Sequence, residues 1–338
     1  MVEVLVTGGA GFIGSNFVRH ALAAHPDWHV TTLDKLTYAG RLENLTGVLD
    51  DPRHSFVHGD VADAATAAPL VAAAEMVVHF AAETHVDRSL ISAGEFIMTD
   101  VYGTFVLLEA ARQAPRLRRF VQISTDEVYG SVPDGASRET DELRPRNPYS
   151  ASKAGADRLA YSYWATYGVP VIVTRASNNY GPYQFPEKVI PLFITNAIDD
   201  VPVPLYGDGL NERDWLHVSD HCRALDLLVQ SGTSGEVYNV GGGNHVRNVD
   251  LTRRILKLAG KPESLIRPVP DRPGHDRRYA VDTTKLRALG WAPEVPFETG
   301  LRETVAWYEQ NPWWWRPIKD ADPAFRAYYN AQYGERRA

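Results

Sequence analysis

The sequence predicts an α/β fold: a doubly wound Rossmann-type parallel sheet with a smaller C-terminal substrate-binding lobe. Three observations carry this. Short β-branched runs alternate with longer helical patterns through the first two-thirds of the chain. A glycine-rich turn, Thr7-Gly8-Gly9-Ala10-Gly11-Phe12-Ile13-Gly14, joins the first strand run to the first helical run, and an acid, Asp34, closes the second strand run.

In chain order, strands are expected at 3–7, 29–34, 55–58, 76–80, 119–124 and 169–175, and the clearest helical runs at 12–24, 99–113 and 149–167. After about residue 180 prolines and glycines punctuate shorter elements, as in Tyr180-Gly181-Pro182-Tyr183 and Asp271-Arg272-Pro273-Gly274. This divides the chain into a dinucleotide-binding part, 1–180, and a mainly substrate-binding lobe, 181–338. Strand-like residues 236–240 and the helical run 249–258 interleave that lobe with the sheet. Near the end, Trp307, Tyr308, Trp313, Trp314 and Trp315 are expected to be packing residues, and no internal repeat is found.

Composition bounds the function. The 338 residues are 44% apolar and 23% charged, ordinary for a globular chain. Thirty-five basic and 42 acidic residues give a net charge of −7 without long runs, which argues against nucleic acid or an anionic membrane as partner. An anionic ligand must therefore be held by a few local cations. Cys222 is the single cysteine, so no internal disulfide and no cysteine metal cage can form. The N-terminus enters a strand-like run without signal-peptide features, and no 18-residue apolar segment follows; a cytoplasmic location is expected.

Gly8, Gly11 and Gly14 allow a tight turn and let a pyrophosphate approach the N-terminus of the first helix, whose free N–H groups favour an anion. Asp34 can accept from both adenosine ribose hydroxyls and repel a 2′-phosphate, so NAD is expected over NADP. Asp60, in Gly59-Asp60-Val61, can accept from the adenine amino group, and Phe80-Ala81-Ala82 ends the fourth strand in residues small enough to leave room.

Asn147-Pro148 reads as a helix cap and first position, which places Tyr149 and Lys153 four apart on one helix face. A tyrosine titrates near pH ~10, and a lysine ammonium beside it favours the phenolate, a usable base for an alcohol losing hydride. His217 and His221 have a metal-ligand spacing, but no carboxylate stands where a zinc hydrolase needs one, so no metal is expected.

The glycine turn together with Tyr149-x-x-x-Lys153 resembles the extended short-chain dehydrogenase/reductase family over nearly the whole chain. Ser124-Thr125 falls where that family places a hydroxyl next to the tyrosine. Arg213-Asp214-Trp215-Leu216-His217-Val218 resembles a motif of its nucleotide-sugar members, whose arginine binds the diphosphate. The pair Asp126-Glu127 resembles the branch that dehydrates nucleotide glucose across C5 and C6. Sugar 4-epimerases carry no acid pair there, and related decarboxylases and GDP-mannose dehydratases typically have Ser-Glu. Segments 33–40, 82–89, 178–188 and 271–276 resemble the same branch.

That resemblance implies dTDP-glucose as substrate, tightly bound NAD, and catalysis by Thr125, Asp126, Glu127, Tyr149 and Lys153. It assigns Glu127 as C5 base and Asp126 as C6 acid, whereas the residues alone require only that two adjacent carboxyls can hold different protonation states. It also implies that Phe12, Ile13, Lys35, Thr37, Val61, Thr99, Ser124 and Asn179 complete the NAD site. Around the nucleotide sugar it places Thr84, Asn178, Glu187, Lys188 and Arg213, and further along Pro204, Tyr206, Asn248, Arg272 and His275. Lys188, Arg213 and Arg272 are the cations a diphosphate needs.

Helices 99–113 and 149–167 carry Phe105, Leu108, Tyr161 and Trp164, more apolar surface than one stripe against a sheet requires. The resemblance implies that they pair across a two-fold axis in a homodimer. Two other readings compete: a UDP-sugar 4-epimerase or decarboxylase, and a non-catalytic NAD-binding sensor on the same fold. The acid pair argues against the former, and the intact Thr125, Tyr149 and Lys153 against the latter.

Overall fold

The computed structural model describes residues 1–333. Twelve strands are numbered along the chain. Those of the main sheet are β1 (Val2–Thr7), β2 (Trp28–Asp34), β3 (His54–His58), β4 (Met76–His79), β5 (Arg119–Thr125), β6 (Val171–Ala176) and β10 (Val237–Val240). They run in the order β10-β6-β5-β4-β1-β2-β3, and every pairing is parallel. Parallel strands covered on both faces are nearly continuously apolar. All six residues of β6 are accordingly buried.

Six of these strands lie where sequence patterning expects them, with shifted ends. β4 stops at His79 and β5 runs on to Thr125. β6 starts at Val171, because Pro170 has no N–H to give a ladder and Val169 is still bonded to the preceding helix through Tyr163 O. The seventh strand, β10, comes from the C-terminal half. Register brings the functional ends level: Thr7 pairs with Leu33 and with His79, and Thr125 with Ala176.

The helix expected at 99–113 is two pieces, a π-helical turn Ile97–Tyr102 followed by the α-helix Gly103–Arg112. The wide turn sets Thr99 toward the sheet crevice while Asp100 reaches the helix Pro148–Tyr167, where Ser152 donates to it at 2.6 Å. The tight side is filled by Gly103, where a Cβ would stand 2.8 Å from the Val61 side chain.

Over the C-terminal strand ends sit two small sheets. One orders β11 (His245–Arg247), β9 (Glu212–His217) and β7 (Asn178–Tyr180); the other pairs β12 (Ile266–Val269) with β8 (Val203–Tyr206). The lobe has its own aromatic core, in which Tyr308, Trp314 and Trp315 are buried while Trp313 is exposed. Trp314 Nε1 donates to Asn44 Oδ1 at 2.7 Å, tying this core to the first half of the chain. Leu108 is fully buried under the main sheet, so it is not the surface residue the sequence suggested, and Trp164 is partly buried where it packs over Gly235. Phe105 and Tyr161 remain exposed, with Met98, Tyr102 and Tyr167 nearby in sequence. No helix among the described residues is long and apolar enough to cross a membrane.

Candidate active site

The winding of the strand order switches between β1 and β4, outward to β2 and β3 on one side and to β5 and β6 on the other, and at such a switch point the connections at the carboxyl ends part to open a crevice. Its floor is the glycine turn. Gly8 has φ +69°, and a Cβ there would stand 2.5 Å from Ala81 N; a Cβ on Gly14 would run into the Gly8 carbonyl. Gly11 caps the helix Phe12–Ala24 without a side chain, leaving its first N–H groups uncovered.

Asp34 stands at the end of β2, nearly buried. Its two oxygens accept from Leu36 N at 2.8 Å and Ala10 N at 2.9 Å, and burial raises its pKa against those two N–H groups. Gly40 makes room for it, since a Cβ would meet Asp34 Oδ1 at 2.6 Å. At the far end of the crevice Lys35 pairs with Asp60 at 2.7 Å beside Val61. Phe12, Ile13, Thr37, Phe80, Ala81, Ala82, Thr99, Ser124 and Asn179 form the rest of this wall. Ser124 Oγ is buried without a protein partner. The side-chain-free cradle, the uncapped helix end and this orphaned hydroxyl fit a dinucleotide.

The same cleft continues to the reactive side chains. A capping box holds the start of the Pro148–Tyr167 helix: Ser150 N donates to Asn147 Oδ1 at 2.8 Å and Asn147 N to Ser150 Oγ at 3.3 Å. One residue inside it, Tyr149 is buried, as is Lys153 one turn on. The sequence suggested that Lys153 would draw the phenol pKa down. Instead burial pushes it well above the usual value, helped by the carboxylates of Glu127 and Asp100, while a hydrogen bond with Thr125 opposes the rise. Burial lowers Lys153, against the pull of Asp100 and Asp157. Asp100 itself is pushed up to about 6 by burial, with Lys153 and Ser152 opposing.

Asp126 and Glu127 share the single 3-10 turn Asp126–Tyr129 that follows β5. Thr125 caps it: its hydroxyl accepts from Glu127 N at 3.3 Å and donates to Asp126 Oδ1 at 3.2 Å. Glu127 lines the cleft, and Tyr279 donates to it at 3.4 Å. Asp126 lies behind the wall, 2% exposed; burial, then Glu127 and Asp214, push its pKa well up.

Thr84, Asn178, Glu187 and Lys188 line the cleft beside these groups. Lys188 Nζ donates to Thr84 O at 2.6 Å, and Glu187 accepts from Arg88 Nε at 3.0 Å while its other oxygen has no protein partner. Pro204, Tyr206, Arg213, Asn248, Arg272 and His275 do not form the wall. They stand beyond it in the lobe, where Arg213 covers the Tyr279 ring at 4.4 Å and His275 meets the Tyr206 ring edge-on at 6.0 Å. Burial and the guanidiniums of Arg272 and Arg213 push His275 down to about 4. Pro204 is on β8, and Asn248 opens the helix Asn248–Leu258 with a buried, unpartnered Oδ1.

His217 and His221 have separate partners. His217 caps the helix Val218–Ser231 through Ser219, and His221 Nδ1 meets Asn179 Oδ1 at 2.9 Å. Sequence reasoning passed over Tyr38, Glu83, Gln184 and Phe185, which also line the cleft. Tyr38 and Glu83 stand in the very segments, 33–40 and 82–89, that carried the family resemblance. Burial, Asp100 and Glu95 push Glu83 up to about 7.

The GDP-mannose 4,6 dehydratase family model matches residues 5–304. A dTDP-glucose 4,6-dehydratase of Streptomyces niveus is 53% identical over 96% of this chain and 97% of its own length. The low-salt glycan biosynthesis protein Agl12 of Haloferax volcanii is 54% identical over 91% of this chain and 98% of its own. Among solved structures, the dTDP-glucose 4,6-dehydratase of Streptomyces venezuelae, with NAD and dTDP bound, superposes with a TM-score of 0.92 at 51% identity, covering 94% of this chain and 100% of its own.

Proposed function

The chain belongs to the GDP-mannose 4,6 dehydratase family, and from that premise we propose that it is an NAD-dependent hydro-lyase converting dTDP-glucose to dTDP-4-keto-6-deoxyglucose. One observation carries the reading beyond the family: two carboxyls on one turn, Glu127 at the cleft and Asp126 buried behind it with its pKa pushed up, stand beside Tyr149 and Lys153. NAD supplies a hydride acceptor that keeps the C4 hydride until it is returned to C6. The chain supplies the proton transfers. Tyr149 takes the C4 hydroxyl proton as its phenolate, a form that burial opposes and that the Thr125 hydrogen bond, the Lys153 ammonium and the positive charge a bound nicotinamide would bring favour. With C4 oxidised the C5 proton is acidic; Glu127 removes it, and Asp126 gives its proton to the C6 hydroxyl as that leaves as water. Thr125 orients both acids and the tyrosine.

The glycine turn, Asp34 and the walls around them serve NAD. Thr84, Asn178, Glu187, Lys188 and the lobe residues Pro204, Tyr206, Arg213, Asn248, Arg272 and His275 serve the nucleotide sugar. Residues 1–180 thus bind mainly the cofactor and 181–338 mainly the substrate. The enzyme works in the cytoplasm, a reading supported by its one cysteine, which is free and buried. It acts as a homodimer, supported by exposed Met98, Tyr102, Phe105 and Tyr161 on two neighbouring helical segments.

The test is mass spectrometry of dTDP-[4-²H]glucose before and after incubation. The product should have lost one water, carry the deuterium at C6 and hold one solvent hydrogen at C5. An epimerase would return the label to C4 with no change in mass.

A further inference from the structure

We propose that Asp87 is a positioning residue, which aims Arg272 at the substrate diphosphate and couples the C-terminal helix to that task. The proposal rests on the reading that Arg272 meets the diphosphate. Asp87 belongs to the short helix Val86–Ser89 and is 5% exposed. Its Oδ1 accepts from Arg272 Nη1 at 3.0 Å, and its Oδ2 accepts from the hydroxyls of Tyr206 and Tyr328, each at 3.2 Å. A carboxylate taken this far out of water persists only when its oxygens are satisfied, and here three side chains from three distant stretches of chain satisfy them.

Arg272 needs such a holder. It comes from an irregular stretch between β12 and residue 284, so no helix or strand sets its direction. Asp87 engages one terminal nitrogen, while Arg272 Nε is buried and has no protein acceptor. An orphaned, buried donor on a guanidinium already fixed at one corner is an edge left for a ligand. The neighbouring Lys188 and Arg213 add positive character at the same place, whereas His275, pushed down to about 4, does not.

Tyr328 brings in the C-terminal helix, Pro323–Tyr333. Its hydroxyl reaches Asp87, and the Arg88 guanidinium lies 5.0 Å from its ring, so this one tyrosine touches both the Asp87–Arg272 and the Arg88–Glu187 ion pairs. Gln332 donates to Tyr206 at 2.6 Å, and Arg267 to the Tyr333 carbonyl at 2.6 Å, which pins the helix over the same corner. Glu187 lines the cleft, but Asp87, Tyr206, Tyr328 and Arg272 are not part of its wall. Their effect on substrate must pass through Arg272.

A double-mutant cycle read by calorimetric binding of dTDP to the NAD-containing protein tests this. Asp87→Asn should weaken dTDP about tenfold, as loss of one charge-assisted contact does, and Arg272→Ala at least as much. The double variant should bind within about twofold of Arg272→Ala, because Asp87 has nothing left to aim. NAD content should be equal in all four proteins. Asp87→Asn that leaves dTDP affinity unchanged, or that weakens it equally in the Arg272→Ala background, overturns the proposal. Arg272→Ala that binds dTDP like the parent removes the underlying reading instead, and the proposal with it. Should Asp87→Asn fail to fold, Tyr328→Phe serves the same cycle: a loss of a few-fold in the parent and none in Arg272→Ala supports the coupling, and an equal loss in both overturns it.

Discussion

Under the proposed mechanism Tyr149 and Glu127 each serve a different half of the reaction, and this makes the halves separable. Tyr149→Phe should abolish oxidation at C4, so that neither NADH absorbance nor product appears. Glu127→Gln should still oxidise the sugar, and NADH with a 4-keto sugar nucleotide should accumulate because no base takes the C5 proton; single-turnover absorbance with product mass analysis distinguishes the two. Asp100 offers a prediction in pH. Its folded pKa, about 6, lies above the ordinary 3.8, so between those values the native state binds more protons than the unfolded chain. The native state is therefore favoured by this group at low pH, and that contribution is lost as pH rises through about 6. Relative to the parent, Asp100→Asn should gain stability by about 1.4 kcal/mol per pH unit across that window, measured by denaturant unfolding at pH 4, 5 and 6. A difference that stays flat with pH would mean that the buried carboxyl is not protonated as argued. The motif Thr-Asp-Val around Asp100 offers no sign of this; its burial arises from contacts with Ser152 and the Glu83 backbone far along the chain.

The Pro148–Tyr167 helix shows how an element aims a side chain. Its capping box fixes the first turn, and Tyr149 lies within that turn. Asn147→Ala should cost about 1 kcal/mol of stability and lower kcat more than it weakens NAD binding, since it loosens the turn that carries the phenol; thermal unfolding beside steady-state kinetics checks both. This cap was legible in advance, because Asn-Pro before a helical run has a local physical cause. The division of residues 97–112 into a π turn and an α-helix was not, because it depends on what Thr99, Asp100 and Gly103 each meet. The same two helical regions carry the dimer prediction. Phe105→Glu should convert a dimer to a monomer in sedimentation at micromolar concentration, while a parent protein that is already monomeric would refute the homodimer. Leu108, on the same helix, was a poor guide: its position in sequence does not reveal that it faces the sheet.

For the molecule as a whole, the crevice joins one cofactor wall to one substrate wall, and a cofactor that ends each cycle as it began has no need to leave. The purified protein should therefore carry NAD, seen as released NAD on acid denaturation and counted against protein by chromatography; material that is pure and active only after NAD is added back would contradict tight retention. Six strands of the main sheet, the glycine turn, Asp34, the Tyr149–Lys153 spacing and the Asp126–Glu127 pair were all readable from the chain alone. Each depends on spacing within a single element or turn, where backbone geometry leaves few alternatives. The tertiary structure alone decided what depends on distant segments meeting: the place of β10 at the sheet edge beside β6, Tyr149 with its pKa raised rather than lowered, Asp126 enclosed behind Glu127, and Asp87 gathering Arg272, Tyr206 and Tyr328. Desolvation and long-range charge set those properties, and both are sums over neighbours that no local stretch of sequence contains.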